Sequence, residues 1–296
     1  MHQNFQLKDL SPVHYFLGIE LLRTSSSLLL HQSKYTEELL TRAGMAESKT
    51  APTPMAVHPP STSDSRLFDN PTLYRSIVGG LPYLVVTRPD IQYAVNRVSQ
   101  SMHAPTEQNF QALKRILRYL KGSLRRGLLF TKGNLEFSVY SDSDWANDKD
   151  DRRSTTGYLM FLGPNLISWC TKKQTRVSRS STEAEYRAMA AGVAEAMWLY
   201  DITDALGLPV FRPKICGDNE STICVTKNPV LHDRMKHIGS DYHFVREQVM
   251  VGTMSTHHVP SSEQLADILT KPFPPAAFHY LATKLPLVSV DQLEGG

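Results

Sequence analysis

Residues 135–173 read LEFSVYSDSDWANDKDDRRSTTGYLMFLGPNLISWCTKK. Leu135, Phe137 and Val139 alternate with polar neighbours, the period-two pattern of a strand with one face buried. GYLMFL and LISWCTK are two more strand-like runs around the turn signal Gly163-Pro164-Asn165. Three consecutive antiparallel strands are therefore predicted. An alanine-rich run from Thr182 to Leu206 follows, closed by Gly207 where a left-handed cap is favoured, and predicts a long helix. PKICGD then reads as a strand, NESTICVTK and YHFVREQVM as helices, GTMSTHHVP as a strand and SEQLADILTK as a final helix. The resulting order, βββαβααβα, is an α/β pattern.

Upstream, residues 71–122 show helical spacing in pieces, broken near Arg88-Pro89 and Ala104-Pro105, where the residue before proline leaves the helical region. In the last piece Phe110, Leu113, Leu117 and Leu120 form an apolar stripe, while Lys114, Arg118, Lys121 and Arg125 fall on another face. From Ser101 to Leu135 seven basic residues stand against the single acid Glu107. Such a stripe suits a phosphate backbone, although a solvated face is the commoner meaning of a charge run. APTPMAVHPPSTSDS, from Ala51 to Ser65, cannot sustain a helix or an inner strand and reads as a linker. Before it, VHYFLGIELLR and SLLLHQSKY are strand-like runs joined through Ser25, Ser26 and Ser27, followed by a short helix from Lys34 that stops before Gly44. The expected division is 1–50, a linker at 51–70, a helical region at 71–131, an α/β domain at 132–275 and a tail at 276–296.

The 296 residues are 41% hydrophobic and 21% charged, which excludes a disordered, collagen-like or coiled-coil chain. No apolar run approaches the ~18–20 residues of a membrane span, and MHQNFQLKDL lacks the basic-then-apolar order of a secretory signal. An intracellular setting, cytoplasmic or nuclear, with no membrane partner is expected. Cys170, Cys216 and Cys224 form no Cys-x-x-Cys pair, which fits a reducing compartment and argues against a disulfide framework or structural zinc. A net charge of +3 is too mild to name a polyanionic partner by itself.

Four segments bring carboxylates to element ends or helix faces: YSDSDW at 140–145, STEAEY at 181–186, CGDNES at 216–221 and EQLADIL at 263–269. A hard cation such as Mg²⁺ takes oxygen ligands, and two ions about 3.5–4 Å apart can stabilise the attacking and leaving oxygens of a phosphodiester displacement. Spacing alone is weak evidence, because 29 acidic residues scatter many carboxylates over solvated turns. Asp142 and Asp144 lie two apart on a strand and face the same way, which leaves both open. Ser180 with Glu183 fits the S-x-x-E capping box, a structural use that competes with a ligand role. Asp218 ends an apolar strand run, where a ligand-facing acid belongs in an open α/β sheet.

YSDSDWANDKDDRRSTTGYLMFLG, ISWCTKKQ, SRSSTEAEYRAM, CGDNES, KNPVLHDRMKHI and EQLADILTKPF follow one another over residues 134–275. In content and order they closely resemble the motifs of the ribonuclease H domain of copia-type LTR-retrotransposon polyproteins. The resemblance implies a ribonuclease H-like fold, a mixed five-stranded sheet with helices on both faces. It implies cleavage of the RNA strand of an RNA–DNA hybrid, with two Mg²⁺ ions, or Mn²⁺ in their place, held by an Asp-Glu-Asp-Asp set. The family's Tyr-Ser/Thr-Asp pattern selects Asp142, and its acid before a hydrophobic residue and an alanine selects Glu185, with Glu183 as the alternative. Asp218 and Asp267 complete the implied set.

Ser180, at the start of the long helix beside Ser178, Arg179 and Ser181, is a candidate phosphate contact. Asn219 and Ser221, beside Asp218, are candidates for the sugar-phosphate or a ribose 2′-hydroxyl, or equally for a helix cap. With Lys114, Arg118, Lys121 and Arg125 they form the expected nucleic-acid-binding set. His232, His237 and His243 fit no zinc pattern and are expected to be structural or solvated.

DLSPVHYFLGIELL is similar to the end of the reverse transcriptase palm in the same polyproteins, including the hairpin that grips the primer. KYTEELLTRAGM, PTLYRSIVGGLPYL, TRPDIQYAVNRVSQ and HAPTEQNFQALKRILRYLKG are similar to the thumb and connecting region. The chain thus reads as a C-terminal part of such a polyprotein, expected to associate with its other parts. The polymerase's Tyr-x-Asp-Asp motif does not occur in the sequence, so no polymerase activity is expected. The rival reading is a catalytically inactive nucleic-acid-binding remnant.

Overall fold

A computed structural model describes residues 13–58, 66–209, 211–227 and 239–294. KNPVLHDRMKHI after Lys227, with His232 and His237, the first twelve residues and part of the linker lie outside the described residues.

The chain opens with strands Tyr15–Phe16 (β1), Ile19–Arg23 (β2) and Ser27–His31 (β3) and helix Ser33–Arg42 (α1). The Thr24 hydroxyl accepts the Ser26 and Ser27 amides and closes the β2–β3 turn. Helices Pro71–Leu84 (α2), Gln92–Ser99 (α3) and Glu107–Gly122 (α4) break where the prolines stand. A 3₁₀ turn, Pro89–Ile91, fills the first break, and Thr106 caps α4 after Pro105 in a reciprocal box with Asn109. Strand Arg126–Thr131 (β4), which no sequence pattern singled out, follows.

Strands Phe137–Asp144 (β5), Thr155–Leu162 (β6) and Asn165–Lys173 (β7) precede the long helix Ser181–Ala205 (α5). Gly207, at φ +69°, ends it by donating to the Asp204 carbonyl. Strand Lys214–Gly217 (β8), helices Glu220–Lys227 (α6) and Gly239–Val251 (α7) and strand Ser255–His258 (β9) complete this part. The sheet runs β7-β6-β5-β8-β9, antiparallel from β7 to β5 and parallel from β5 to β9. This is the mixed five-stranded sheet that the resemblance implied.

SEQLADILTK, expected as an α-helix, forms two 3₁₀ turns instead, Ser261–Glu263 and Leu265–Leu269. The Gln264 side chain accepts the Ala266 amide, the Thr270 and Lys271 amides both end on the Asp267 carbonyl, and Pro272 has no N–H to continue the ladder. Residues 276–296, expected as a tail, carry most of helix Pro275–Lys284 (α8), strand Leu287–Ser289 (β10) and helix Val290–Glu294 (α9). β10 pairs with the outer side of β4 and makes a second, wholly antiparallel sheet, β1-β2-β3-β4-β10.

Packing joins the two halves. Phe137, Val139 and Met160 on one face of the mixed sheet bury Tyr186, Met189 and Val193 of α5 and Tyr242 and Val245 of α7. On the other face Leu159, Phe161 and Leu166 join Ile268 and Leu269 and the buried stripes of α2, α3 and α4. The helices over this second face therefore come from residues 71–131, and both regions share one core. The linker start also packs: Ala51 donates to the Arg118 carbonyl, and Arg115 donates to the Thr53 hydroxyl at 2.7 Å. Among the described residues no helix is long and apolar enough to cross a membrane.

Candidate active site

The parallel strands β5 and β8 end side by side. Asp142 lies near the C-terminal end of β5, and Asp218 is the residue after β8's Gly217. Helix α5 runs back along β5 at close range, because Gly192 has no Cβ; one would lie 3.0 Å from Val139 Cγ1. Seven residues earlier on the same helix face, Glu185 reaches the end of β5 and accepts the Ser143 amide. Asp267 comes from the second 3₁₀ turn, which packs against Gly157 of β6. The Gln264 side chain ties that turn down by donating to the Ser141 carbonyl at 2.9 Å, and the Thr270 hydroxyl donates to Asp142 Oδ2.

One carboxylate oxygen from each of Asp142, Asp218 and Asp267 lies within 4.8 Å of the others. Asp142 and Asp267 are only 2% and 6% exposed. Burial, and then the neighbouring charges of Asp142 and Asp218, push the Glu185 carboxyl up to about 10. Burial, and then Asp142, push Asp267 up to about 8. Like charges gathered in a poorly solvated pocket cannot all ionise without a compensating cation. Lys271 supplies one: its Nζ lies 2.8 Å from Asp267 Oδ1 and 3.8 Å from Asp142 Oδ2. Burial opposes its charge, but Asp142 and Asp267 outweigh burial and raise the ammonium's pKa. Ser261 Oγ donates to Asp218 Oδ2 at 2.8 Å, and His258 Nε2 meets the Asp218 carbonyl at 3.1 Å.

This donor set fits a hard divalent cation. It is made of carboxylate oxygens, and the buried Asp267 Oδ1 faces a cation already, the Lys271 ammonium at 2.8 Å. Asp144 lies outside the three-acid group, and burial raises its carboxyl. Glu183 is otherwise engaged. Its amide donates to Ser180 Oγ at 3.2 Å, and its carboxylate accepts the Arg179 amide at 2.9 Å and pairs with Arg187 at 2.7 Å. Lys271, Thr270, Gln264 and Ser261 were not among the residues expected at the site. For Lys271 the available signal was its i+4 spacing from Asp267.

The expected nucleic-acid contacts stand on α4, on the segment after it and at the starts of α5 and α6. Ser180 caps α5, and Asn219 caps α6 by accepting the Thr222 amide at 3.0 Å, with Ser221 exposed beside it. On α4, Lys114 lies over the Phe110 ring at 4.6 Å and Lys121 is half-buried. Arg118 donates to the Lys49 and Thr50 carbonyls at 2.8 and 3.3 Å. Arg125 pairs with Asp291 at 3.2 Å and Glu294 at 2.6 Å. Those two guanidinium groups fasten the segment leading into the linker and the C-terminal helix.

Two retrovirus-related Pol polyproteins of Arabidopsis thaliana, from transposons RE1 and RE2, are 50% and 47% identical to the chain over 294 and 300 residues. The matches cover 98% and 100% of the chain, which spans 20% of the length of each relative. No protein-family model matches the chain. Among solved structures, the N-terminal ribonuclease H domain of a Mycobacterium tuberculosis protein is 14% identical, with 51% of this chain and 98% of that chain covered and a TM-score of 0.34.

Proposed function

We propose that this chain, which belongs to the retrovirus-related Pol polyproteins of copia-type transposons, works as a ribonuclease H on the RNA strand of an RNA–DNA hybrid. Asp142, Glu185, Asp218 and Asp267 would hold two Mg²⁺ ions, with Mn²⁺ as a substitute. The observation that carries the proposal is the convergence of three carboxylates within 4.8 Å from a strand, a strand end and a 3₁₀ turn, with Glu185 of α5 beside them. Bound Mg²⁺ supplies activation of a water and charge neutralisation at the leaving 3′ oxygen.

The protein's part is to fix the oxygens beforehand. The Thr270 hydroxyl orients Asp142, Ser261 orients Asp218 and the Ser143 amide orients Glu185, so the donors need little rearrangement. Exposed Lys172 and Arg176 line an open groove of about 730 Å³ bordered by β6, β7, α5 and α7, and offer positive charge to a phosphate backbone. The proposed partners are the hybrid and other parts of a Pol polyprotein. Polymerisation is not proposed, since the Tyr-x-Asp-Asp motif is not in the sequence.

The test is cleavage of a hybrid labelled on its RNA strand, with Mg²⁺, with EDTA and with Asp218→Asn. RNA cut only with metal, and slowed by about 100-fold or more in the variant, is the expected result. Hybrid bound but uncut by the folded, unmodified chain would leave a nucleic-acid-binding remnant instead.

A further inference from the structure

Lys271 stands where a ligand of the acid cluster would stand. Its backbone amide donates to the Asp267 carbonyl at 3.2 Å, which puts Lys271 and Asp267 on one face of the turn, and Pro272 ends the turn immediately after it. Its Nζ lies 2.8 Å from the buried Asp267 Oδ1 and 3.8 Å from Asp142 Oδ2. Any divalent ion bridging Asp142 and Asp267 on that side needs the same oxygens. An ammonium and a divalent cation cannot share that space, because both are positive and both require close contact with the carboxylates. The lysine stem is flexible and the side chain is 35% exposed, so the ammonium has a path out to water.

We infer that Lys271 is a resident counter-ion of the cluster, holding Asp142 and Asp267 together while no divalent ion is bound and competing with the ion that bridges them. This rests on the reading of those acids as metal ligands. Lys271 is thus a positioning residue that sets how much divalent metal the site requires. Its removal has two opposed consequences: the metal-free cluster loses its cation, and the incoming ion loses its competitor.

The experiment is Mn²⁺ binding to the full chain without nucleic acid, followed by electron paramagnetic resonance. Unmodified protein, Lys271→Met, Lys271→Gln and Asp218→Asn are compared, each with its melting temperature in EDTA. Lys271→Met keeps the apolar stem. It should bind Mn²⁺ ~10-fold more tightly than the unmodified chain, melt lower in EDTA and recover with Mn²⁺. Lys271→Gln should shift the same way, and folding of either variant only on adding Mn²⁺ would also support the inference. Mn²⁺ affinity that is unchanged or weaker in both lysine variants would overturn it while leaving the acids as ligands. No Mn²⁺ uptake by any of the proteins, with no hybrid cleavage, would overturn the ligand reading and the inference together.

Discussion

Gly157 is the cross-strand partner of Asp142 in the β5–β6 ladder, and the space left by its missing side chain is filled by Thr270 and Leu269. A Cβ there would lie 2.7 Å from Thr270 Cγ2, 2.9 Å from Leu269 Cβ and 3.2 Å from the Ala266 carbonyl oxygen. The close approach of the turn that carries Asp267 to the strand that carries Asp142 therefore depends on this glycine.

Gly157→Val is expected to cost about 1–3 kcal/mol in urea unfolding, as overpacking of a dense site does, and to weaken Mn²⁺ binding by displacing Asp267. A variant that kept both stability and metal affinity would show that the turn can shift without loss.

Glu183 and Glu185 should separate by phenotype. Glu183→Ala removes a first-turn acid that binds the Arg179 amide and Arg187, so a stability loss of about 1–2 kcal/mol is expected with hybrid cleavage largely retained. Glu185→Gln relieves repulsion and should leave the metal-free protein at least as stable while abolishing cleavage. Denaturation and cleavage assays on both variants check the pair, and the reverse pattern would exchange their roles.

Stability without metal should fall as pH rises. Burial and neighbouring charge raise Asp267 from 3.8 to about 8 and Glu185 from 4.5 to about 10. Between those limits the folded protein holds protons that the unfolded chain has released, so raising the pH favours unfolding. Melting temperatures in EDTA should therefore decrease from about pH 5 to about pH 9, and Mg²⁺, which needs the ionised acids, should flatten or reverse the trend. A melting temperature in EDTA that climbed over this range would contradict the crowding of the acids.

Salt dependence should distinguish the groove cations from those that hold backbone carbonyls. Neutralising Lys172 and Arg176 is expected to reduce the slope of log affinity for hybrid against log salt by about two, roughly one for each phosphate left without its cation. Arg118→Gln, which removes donors to the Lys49 and Thr50 carbonyls, should lower stability and leave that slope nearly unchanged. Titration of labelled hybrid at several salt concentrations reads both.

A chain cut to residues 132–275 would lose α2, α3 and α4, whose buried side chains share one core with Leu159, Phe161 and Leu166. It is expected to melt lower than the full chain, or without a cooperative transition, and to bind a hydrophobic dye. Equal melting temperatures would show that the second face of the mixed sheet needs no cover from upstream.

Where elements begin and end was largely legible in the sequence, because the signals are local. Alternation around Val139, the alanine-rich run closed by Gly207, and the prolines at 89 and 105 act within a few residues of where they stand. Asp218 could be singled out in the same way, as an acid directly after an apolar strand run. The strands at 126–131 and 287–289 were not legible, since each depends on partners far along the chain, and so does the position of the 265–270 turn, which is tied to Ser141, Asp142 and Thr171. Composition around Lys114 to Arg125 showed a basic face, but only the fold commits Arg118 to the Lys49 and Thr50 carbonyls and Arg125 to the C-terminal acids. The acid cluster divides similarly. Residue types and motif order nominated its members, while their convergence, the diversion of Glu183 to Ser180 and Arg187, and the arrival of Lys271 beside Asp267 were settled by tertiary packing. Electrostatic energy depends on distance through space, and a one-dimensional pattern carries that distance only within a single helix or strand.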